Sequence, residues 1–74
     1  MPHYPRLRDL REDRDLTQEQ IAEVLGISRS FYNRYETGRI QMPIHHFVTL
    51  ARYYNVSLDY LTGLIDTPRA LYKK

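Results

Sequence analysis

Hydrophobic residues recur along this chain at intervals of three and four, which is the spacing of one face of an α-helix. No segment shows the strict alternation of a half-buried strand bounded by turn residues. Each of the three glycines follows a periodic segment, where a left-handed residue ends a helix, and Pro5 and Pro43 each precede one. The pattern predicts five helices: about Pro5 to Arg14, from Thr17, from Ser28 to before Gly38, Pro43 to about Tyr54, and from Ser57 to near Leu64.

Three of these helices begin with the same local signal. Thr17, Ser28 and Ser57 are good N-cap residues, and each follows an apolar residue that can pack on the residue four positions into the helix. Gln20 also completes a capping box with Thr17. Because the signal occurs at independent positions, it predicts an all-α fold. The apolar pairs are Leu16 with Ile21, Ile27 with Tyr32, and Val56 with Leu61.

The third predicted helix has two faces of different chemistry. Tyr32 and Tyr35 lie three positions apart and predict a face that turns toward the core. Arg29, Ser30, Asn33 and, less squarely, Arg34 share the opposite side, which we expect to be open to solvent. Phe31 lies between the two faces. In the fourth helix, the spacing predicts one buried face: Ile44, Phe47, Val48 and Ala51.

The turn before the third helix is short. Only Gly26 and Ile27 separate Leu25 from the Ser28 cap, so the two helices must cross steeply and approach closely. Ala22 lies one turn before the end of the second helix, where a small residue would permit that contact. This arrangement predicts a helix-turn-helix.

Length and composition limit the function only broadly. A chain of 74 residues predicts one small domain, which we place at residues 1–64 with a short tail at 65–74. The absence of cysteine suits a reducing cytoplasm, and no apolar run predicts a membrane span or a signal peptide. With no second domain to act as a sensor, no small-molecule effector is expected. The formal charge of +2 permits a nucleic-acid partner without arguing for one.

The sequence offers little for catalysis. The three histidines have no supporting cysteine or carboxylate pattern, and no nucleophile–base pair or glycine-rich phosphate loop is visible. We therefore predict that the protein is not an enzyme and that it binds no metal or cofactor.

The segment from Arg6 to Gly63 resembles the Cro and phage-repressor type of helix-turn-helix domain, often called the Xre family. The resemblance is carried by LTQEQIAEVLGISRSFYNRYETG followed by MPIHHFVTLARYYNVSLDYLTG. Members fold as a compact five-helix bundle whose third helix enters the major groove of double-stranded DNA, and a dimer reads a near-palindromic site. The resemblance implies a small transcriptional regulator, with repression as the default mode of action.

The resemblance also implies which residues contact the bases of the DNA. Arginine can form two hydrogen bonds with guanine, and asparagine can do the same with adenine, so the residue types suit the role. The implied base-reading residues are Ser28, Arg29, Ser30, Asn33 and Arg34.

Phosphate contacts are expected from groups at helix ends and from nearby cations. Gln18 is the first residue of the second helix, whose free N–H groups favour an anion, and in the family this glutamine bonds a phosphate and braces the third helix. Phe31 could lie on a thymine methyl or a sugar edge, or could pack locally after Gly38. The predicted set for the DNA backbone is Gln18, Thr17, Phe31, Arg39, Arg6 and Arg14.

Two further features follow from the resemblance. The counterparts of Arg11 and Glu36 form an ion pair between the first helix and the end of the third, which fixes how the recognition helix lies. The last helix commonly forms the contact of a homodimer. The apolar residues expected there are Tyr60, Leu64, Ile65, Leu71 and Tyr72.

An alternative interpretation is a protein-interaction module that keeps the bundle without reading DNA. Residues 1–39 contain as many arginines as acidic residues, so bulk charge does not favour DNA. The dependence of binding affinity on salt concentration distinguishes the two interpretations. Binding to phosphates weakens as salt rises, whereas apolar docking responds little.

Overall fold

The computed structural model describes residues 4–66, and all regular structure in this range is helical. This confirms the all-α prediction and the number of helices. The helices are α1 (Pro5–Asp13), α2 (Gln18–Leu25), α3 (Arg29–Glu36), α4 (Ile44–Tyr54) and α5 (Leu58–Thr62).

Side-chain hydrogen bonds cap three of the helices, α2, α3 and α5, where the sequence predicts. Thr17 Oγ1 accepts from the Gln20 amide at 3.1 Å, and Gln20 Oε1 accepts from the Thr17 amide at 2.8 Å, which completes the capping box. Ser28 Oγ accepts from the Phe31 amide at 3.1 Å, and Ser57 caps α5 in the same way. These bonds fix the start of α3 and thereby the direction in which its side chains point.

All five helices contribute buried side chains to one hydrophobic core. Ala22 of α2 is buried and its helix packs on α3, which is the close contact that the short turn requires. Tyr32 and Tyr35 are both buried, as predicted. The other buried apolar residues are Leu7, Leu10, Ile21, Met42, Phe47, Leu50, Ala51, Tyr54, Val56 and Leu61.

The predicted buried face of α4 is wrong at one end. Ile44 is 66% exposed, because it is the first residue of the helix and lies one turn outside the buried stripe. Besides Phe47 and Ala51, α4 buries Leu50 and Tyr54, while Val48 is only half-buried.

None of the helices within residues 4–66 is long and apolar enough to cross a membrane. The predicted tail begins at Ile65, and only its first two residues, Ile65 and Asp66, belong to the described part. Leu71 and Tyr72, predicted to contribute to a dimer contact, lie outside the described residues.

Candidate functional site

A shallow polar groove lies along the outer side of α3. Arg29, Ser30 and Arg34 are exposed there, and Asn33 is half-buried. In residues 4–66, no side chain of α4 or α5 lines this surface. We call it the α3 groove; its lining residues are Gln18, Ser28, Arg29, Ser30, Asn33, Arg34 and Arg39.

A chain of hydrogen bonds runs from α1 through the protein to this groove. Arg11 holds Glu36 with two bonds, Nε to Oε2 at 2.7 Å and Nη2 to Oε1 at 3.2 Å. The Gln18 Nε2 donates to Glu36 Oε1 at 3.1 Å, and Gln18 Oε1 accepts from Asn33 Nδ2 at 3.2 Å. The side chain of Asn33 is therefore linked to α1 and α2 before any ligand arrives.

The ion pair that the resemblance implies is present in a nearly buried setting. Glu36 is 5% exposed. Burial alone would raise the pKa of its carboxyl, but the hydrogen bonds from Arg11, Tyr32 and Gln18 outweigh burial and hold the pKa below its ordinary value. The bond to Glu36 likewise raises the pKa of Arg11. Both groups are therefore charged at neutral pH, and Glu36 acts only as a hydrogen-bond acceptor.

The predicted base-reading residues lie together on the α3 groove. Ser28 caps α3 and its Oγ is 3.5 Å from that of Ser30. Among residues 4–66, Arg29 forms no ion pair or hydrogen bond through its guanidinium. Its donors are thus available to a ligand in the groove.

Phe31 lies between the buried face and the exposed face of α3, as the sequence predicted. Its ring packs edge-on against Tyr35 at a centroid distance of 5.5 Å, and the Arg34 guanidinium lies 5.8 Å from its centroid. The side chain remains 41% exposed, so Phe31 packs against its neighbours on α3 and still presents part of its ring to solvent.

Two of the arginines predicted to contact phosphate have partners elsewhere. Arg6 donates to the carbonyl oxygens of Tyr60 (2.7 Å) and Ile65 (2.9 Å) and stacks on the Tyr60 ring. Arg14 donates to the carbonyl oxygen of Tyr54 at 3.0 Å. Neither Arg6 nor Arg14 lines the α3 groove.

The remaining predicted phosphate contacts differ in position. Gln18 and Arg39 line the α3 groove, whereas Thr17 lies at the N-terminus of α2 and is occupied in capping it. The second N–H of the Gln18 amide is left for a ligand once the bond to Glu36 is formed.

The residues predicted to form a dimer contact are unequally exposed. Leu64 is 78% exposed, Ile65 is half-buried, and the ring of Tyr60 is covered by the Arg6 guanidinium at 4.0 Å. Of the three members within residues 4–66, Leu64 is thus the most accessible to a partner.

The described residues contain no group of histidines and acids that could hold a metal ion. His46 packs on Tyr35, and its neighbour His45 is exposed. Burial, followed by the neighbouring His45, lowers the pKa of His46, so this ring is uncharged at neutral pH.

Sequence reasoning missed the bond between Gln18 and Glu36 and the bonds of Arg6. Their partners lie 18 and more than 50 positions apart. Neither helical periodicity nor a capping motif relates residues at such separations, so the pattern contained no signal for them.

Comparison with known proteins gives consistent matches. The helix-turn-helix family model matches residues 7–61. The uncharacterized HTH-type transcriptional regulator YobD of Bacillus subtilis is 49% identical over 63 residues, or 85% of this chain. The cryptic phage CTXphi transcriptional repressor RstR of Vibrio cholerae is 34% identical over 84% of this chain. This chain spans 56% of the length of each of the two.

A solved structure agrees with these relatives. The crystal structure of a transcriptional regulator from Listeria innocua superposes with a TM-score of 0.76 at 26% identity. The match covers 93% of this chain and 62% of that one.

Proposed function

This chain belongs to the Cro and phage-repressor type of helix-turn-helix family, and from that premise we propose that it binds specific sequences in double-stranded DNA to regulate transcription. The observation that carries the proposal is the α3 groove itself. Its helix buries Tyr32 and Tyr35 and presents a polar side that, within residues 4–66, neither α4 nor α5 covers. A major groove of DNA is wide enough to admit an α-helix presented in this way.

The side chains of the groove have the donors and acceptors that base reading needs. Arg29 is exposed at the first turn of α3 and can donate two hydrogen bonds to O6 and N7 of guanine. Asn33 lies one turn further and can bond N6 and N7 of adenine. Ser28, Ser30 and Arg34 flank these two residues on the same surface.

Backbone contacts would fix the position of the helix on the DNA. Gln18 and Thr17 lie at the N-terminus of α2, where free N–H groups and the positive end of the helix dipole favour a phosphate. Arg39 lines the other end of the groove as an unpaired cation among the described residues. Phe31 contributes a partly exposed ring beside Arg34.

We assign repression, rather than activation, as the mode of action. A bound protein blocks a promoter by occupying space, and RstR, named a repressor, is similar over most of this chain. A homodimer is the form that suits this role, because two recognition helices about 34 Å apart read half-sites one DNA turn apart. The expected operator is therefore a near-palindrome.

Selection of bound duplexes from a random pool tests DNA reading directly. We expect a palindromic site whose half-sites are about 10 base pairs apart. The logarithm of the binding constant for that site should fall linearly with the logarithm of salt concentration, because each neutralised phosphate releases counterions. The control is a scrambled duplex of the same length and composition.

Two results would contradict DNA reading. Selected duplexes that share no sequence would exclude a specific reader, and affinity that is insensitive to salt would exclude phosphate contacts. Either result would favour the alternative of a protein-interaction module.

Leu64→Glu tests the dimer. A charge at this exposed apolar position should disfavour burial against a second copy, so we expect a larger monomer fraction in sedimentation and weaker binding to the full palindrome. Ile44→Glu is the matched control, because Ile44 is also apolar and exposed but lies at the start of α4. Equal behaviour of the two variants and the wild type would mean that Leu64 is outside the dimer contact.

A further inference from the structure

The side-chain amide of Gln18 lies between two groups of different chemistry. Its Nε2 donates to Glu36 Oε1 at 3.1 Å, and its Oε1 accepts from Asn33 Nδ2 at 3.2 Å. Turning such an amide by 180° leaves its shape unchanged, so its neighbours alone decide which atom occupies which side.

Glu36 removes that choice. The carboxylate is held in its charged form by the two bonds from Arg11, and a charged carboxylate has no proton to donate. A reversed Gln18 would place an amide oxygen against a carboxylate oxygen in a nearly buried setting, where two acceptors repel each other. Gln18 must therefore present its nitrogen to Glu36 and its oxygen to Asn33.

The constraint passes on to Asn33. Because the Gln18 oxygen can only accept, Asn33 must turn its Nδ2 toward Gln18 and donate one N–H. The Asn33 Oδ1 and the second N–H are left for a ligand, as one acceptor and one donor in a fixed spatial order. Asn33 lines the α3 groove, so this order is presented to whatever occupies the groove.

We propose that Glu36, which is too deeply buried to touch DNA, is a specificity-determining positioning residue that acts through Gln18 on the amide of Asn33. This inference rests on the proposed function. A base edge is recognised when its donor and acceptor complement those of the side chain, and adenine carries such a pair at N6 and N7. A fixed amide selects one order of donor and acceptor, whereas a free amide accepts both.

Glu36→Gln tests the proposal. The introduced amide can donate or accept, so Gln18 and Asn33 become free to turn without a change of side-chain shape. The base pair contacted by Asn33 is first mapped with Asn33→Ala. At that pair the wild type should discriminate by roughly 5- to 150-fold, and the folded Glu36→Gln variant should show little discrimination there while keeping its preferences elsewhere.

Arg11→Lys is the matched control. It weakens the same ion pair by removing the two-pronged contact, but it leaves Glu36 a charged acceptor. We therefore expect Arg11→Lys to keep discrimination at the Asn33 pair. Retained discrimination in folded Glu36→Gln would overturn the proposal. Equal loss in both variants would also overturn it, since the pair would then merely hold α3 in place.

A measurement without DNA separates this inference from the proposed function. In the free wild-type protein, one Hε2 proton of Gln18 should exchange slowly with water and should change its chemical shift as Glu36 titrates in acid. Exchange at the rate of a free amide would overturn the inference even if DNA binds. If the Gln18 proton exchanges slowly but the protein binds no duplex, the orientation inferred for the Gln18 amide would be supported and the proposed function would be contradicted. The same measurement decides the matter if Glu36→Gln does not fold.

Discussion

Replacement of Arg11 by methionine is expected to lower the free energy of unfolding by about 3–5 kcal/mol. Glu36 is 5% exposed, and the substitution removes both of its bonds from the guanidinium. A carboxylate in that place either stays charged without its partner or takes up a proton, and both cost free energy. Arg11 also bonds the Leu16 carbonyl oxygen at 2.9 Å, so the connection before α2 loses a hydrogen bond as well. Urea denaturation followed by circular dichroism measures the effect.

Arg8→Met is the control for this variant. Arg8 lies on the same helix and pairs with Glu12 at 3.4 Å, but both side chains of that pair are exposed. An exposed pair contributes only about 0.2–1 kcal/mol, so Arg8→Met should change stability little. Equal losses in the two variants would mean that burial of the Arg11–Glu36 pair has no special effect.

The pH dependence of Arg11→Met follows from the same pair. In the wild type the folded pKa of Glu36 lies below its unfolded value, so the stability it contributes is present above the unfolded pKa of about 4.3 and is lost as pH falls through the folded pKa. Without Arg11, burial, which raises this pKa, is opposed only by the remaining hydrogen bonds from Tyr32 and Gln18, so the folded pKa rises. The stability difference between variant and wild type should therefore narrow as pH falls through the range around 4. A difference that stays constant there would contradict the linkage.

The helices could be predicted because the signals that begin and end them are local. The Thr17, Ser28 and Ser57 side chains each bond an amide three residues away, and a pattern of four residues contains that information. The burial of Tyr32 and Tyr35 followed from helical spacing in the same way. The division of α3 into two faces was therefore available from the sequence.

The contacts that orient the site depend on tertiary packing. Ile44 fits the periodicity of α4 yet is exposed. Periodicity shows which face of a helix is apolar, but it does not show how much of that face the other helices cover. The sequence also contained no sign that the carbonyl groups of Tyr60, within α5, and Ile65, after it, lie close to α1 and accept hydrogen bonds from Arg6. The Gln18–Glu36 bond likewise joins the start of α2 to the end of α3. Such pairs are defined only after the helices have packed.

These long-range contacts bear on the function proposed for the α3 groove. An exposed asparagine on an isolated helix would turn freely and would lose conformational freedom when it binds. In this protein the amide of Asn33 is held through Gln18 before binding, so less order has to be imposed by the ligand. Arg29, by contrast, has no such brace among the described residues, and its contribution must come from the bonds it forms on binding.

Arg29→Ala is expected to remove the preference for one base pair of the selected site and to weaken binding to that site by about 1–3 kcal/mol. The guanidinium is exposed on the first turn of α3 and can bond guanine with two donors, which alanine cannot do. Titration of duplexes that differ at one position at a time, at fixed salt, measures the change. The stability of the folded protein should stay the same, because the side chain is exposed and is not a part of the core.

Arg52→Ala separates base reading from the loss of a charge. Arg52 is also exposed, but it lies near the end of α4 and outside the α3 groove. Both variants lose one positive charge. Any long-range electrostatic loss of DNA affinity should therefore occur in both variants and should affect all duplexes alike. Only Arg29→Ala should flatten the preference at a single base pair. If Arg29→Ala weakened every duplex equally, as Arg52→Ala is expected to do, Arg29 would be a phosphate contact, and the reading of sequence would fall to Asn33 and its neighbours on α3.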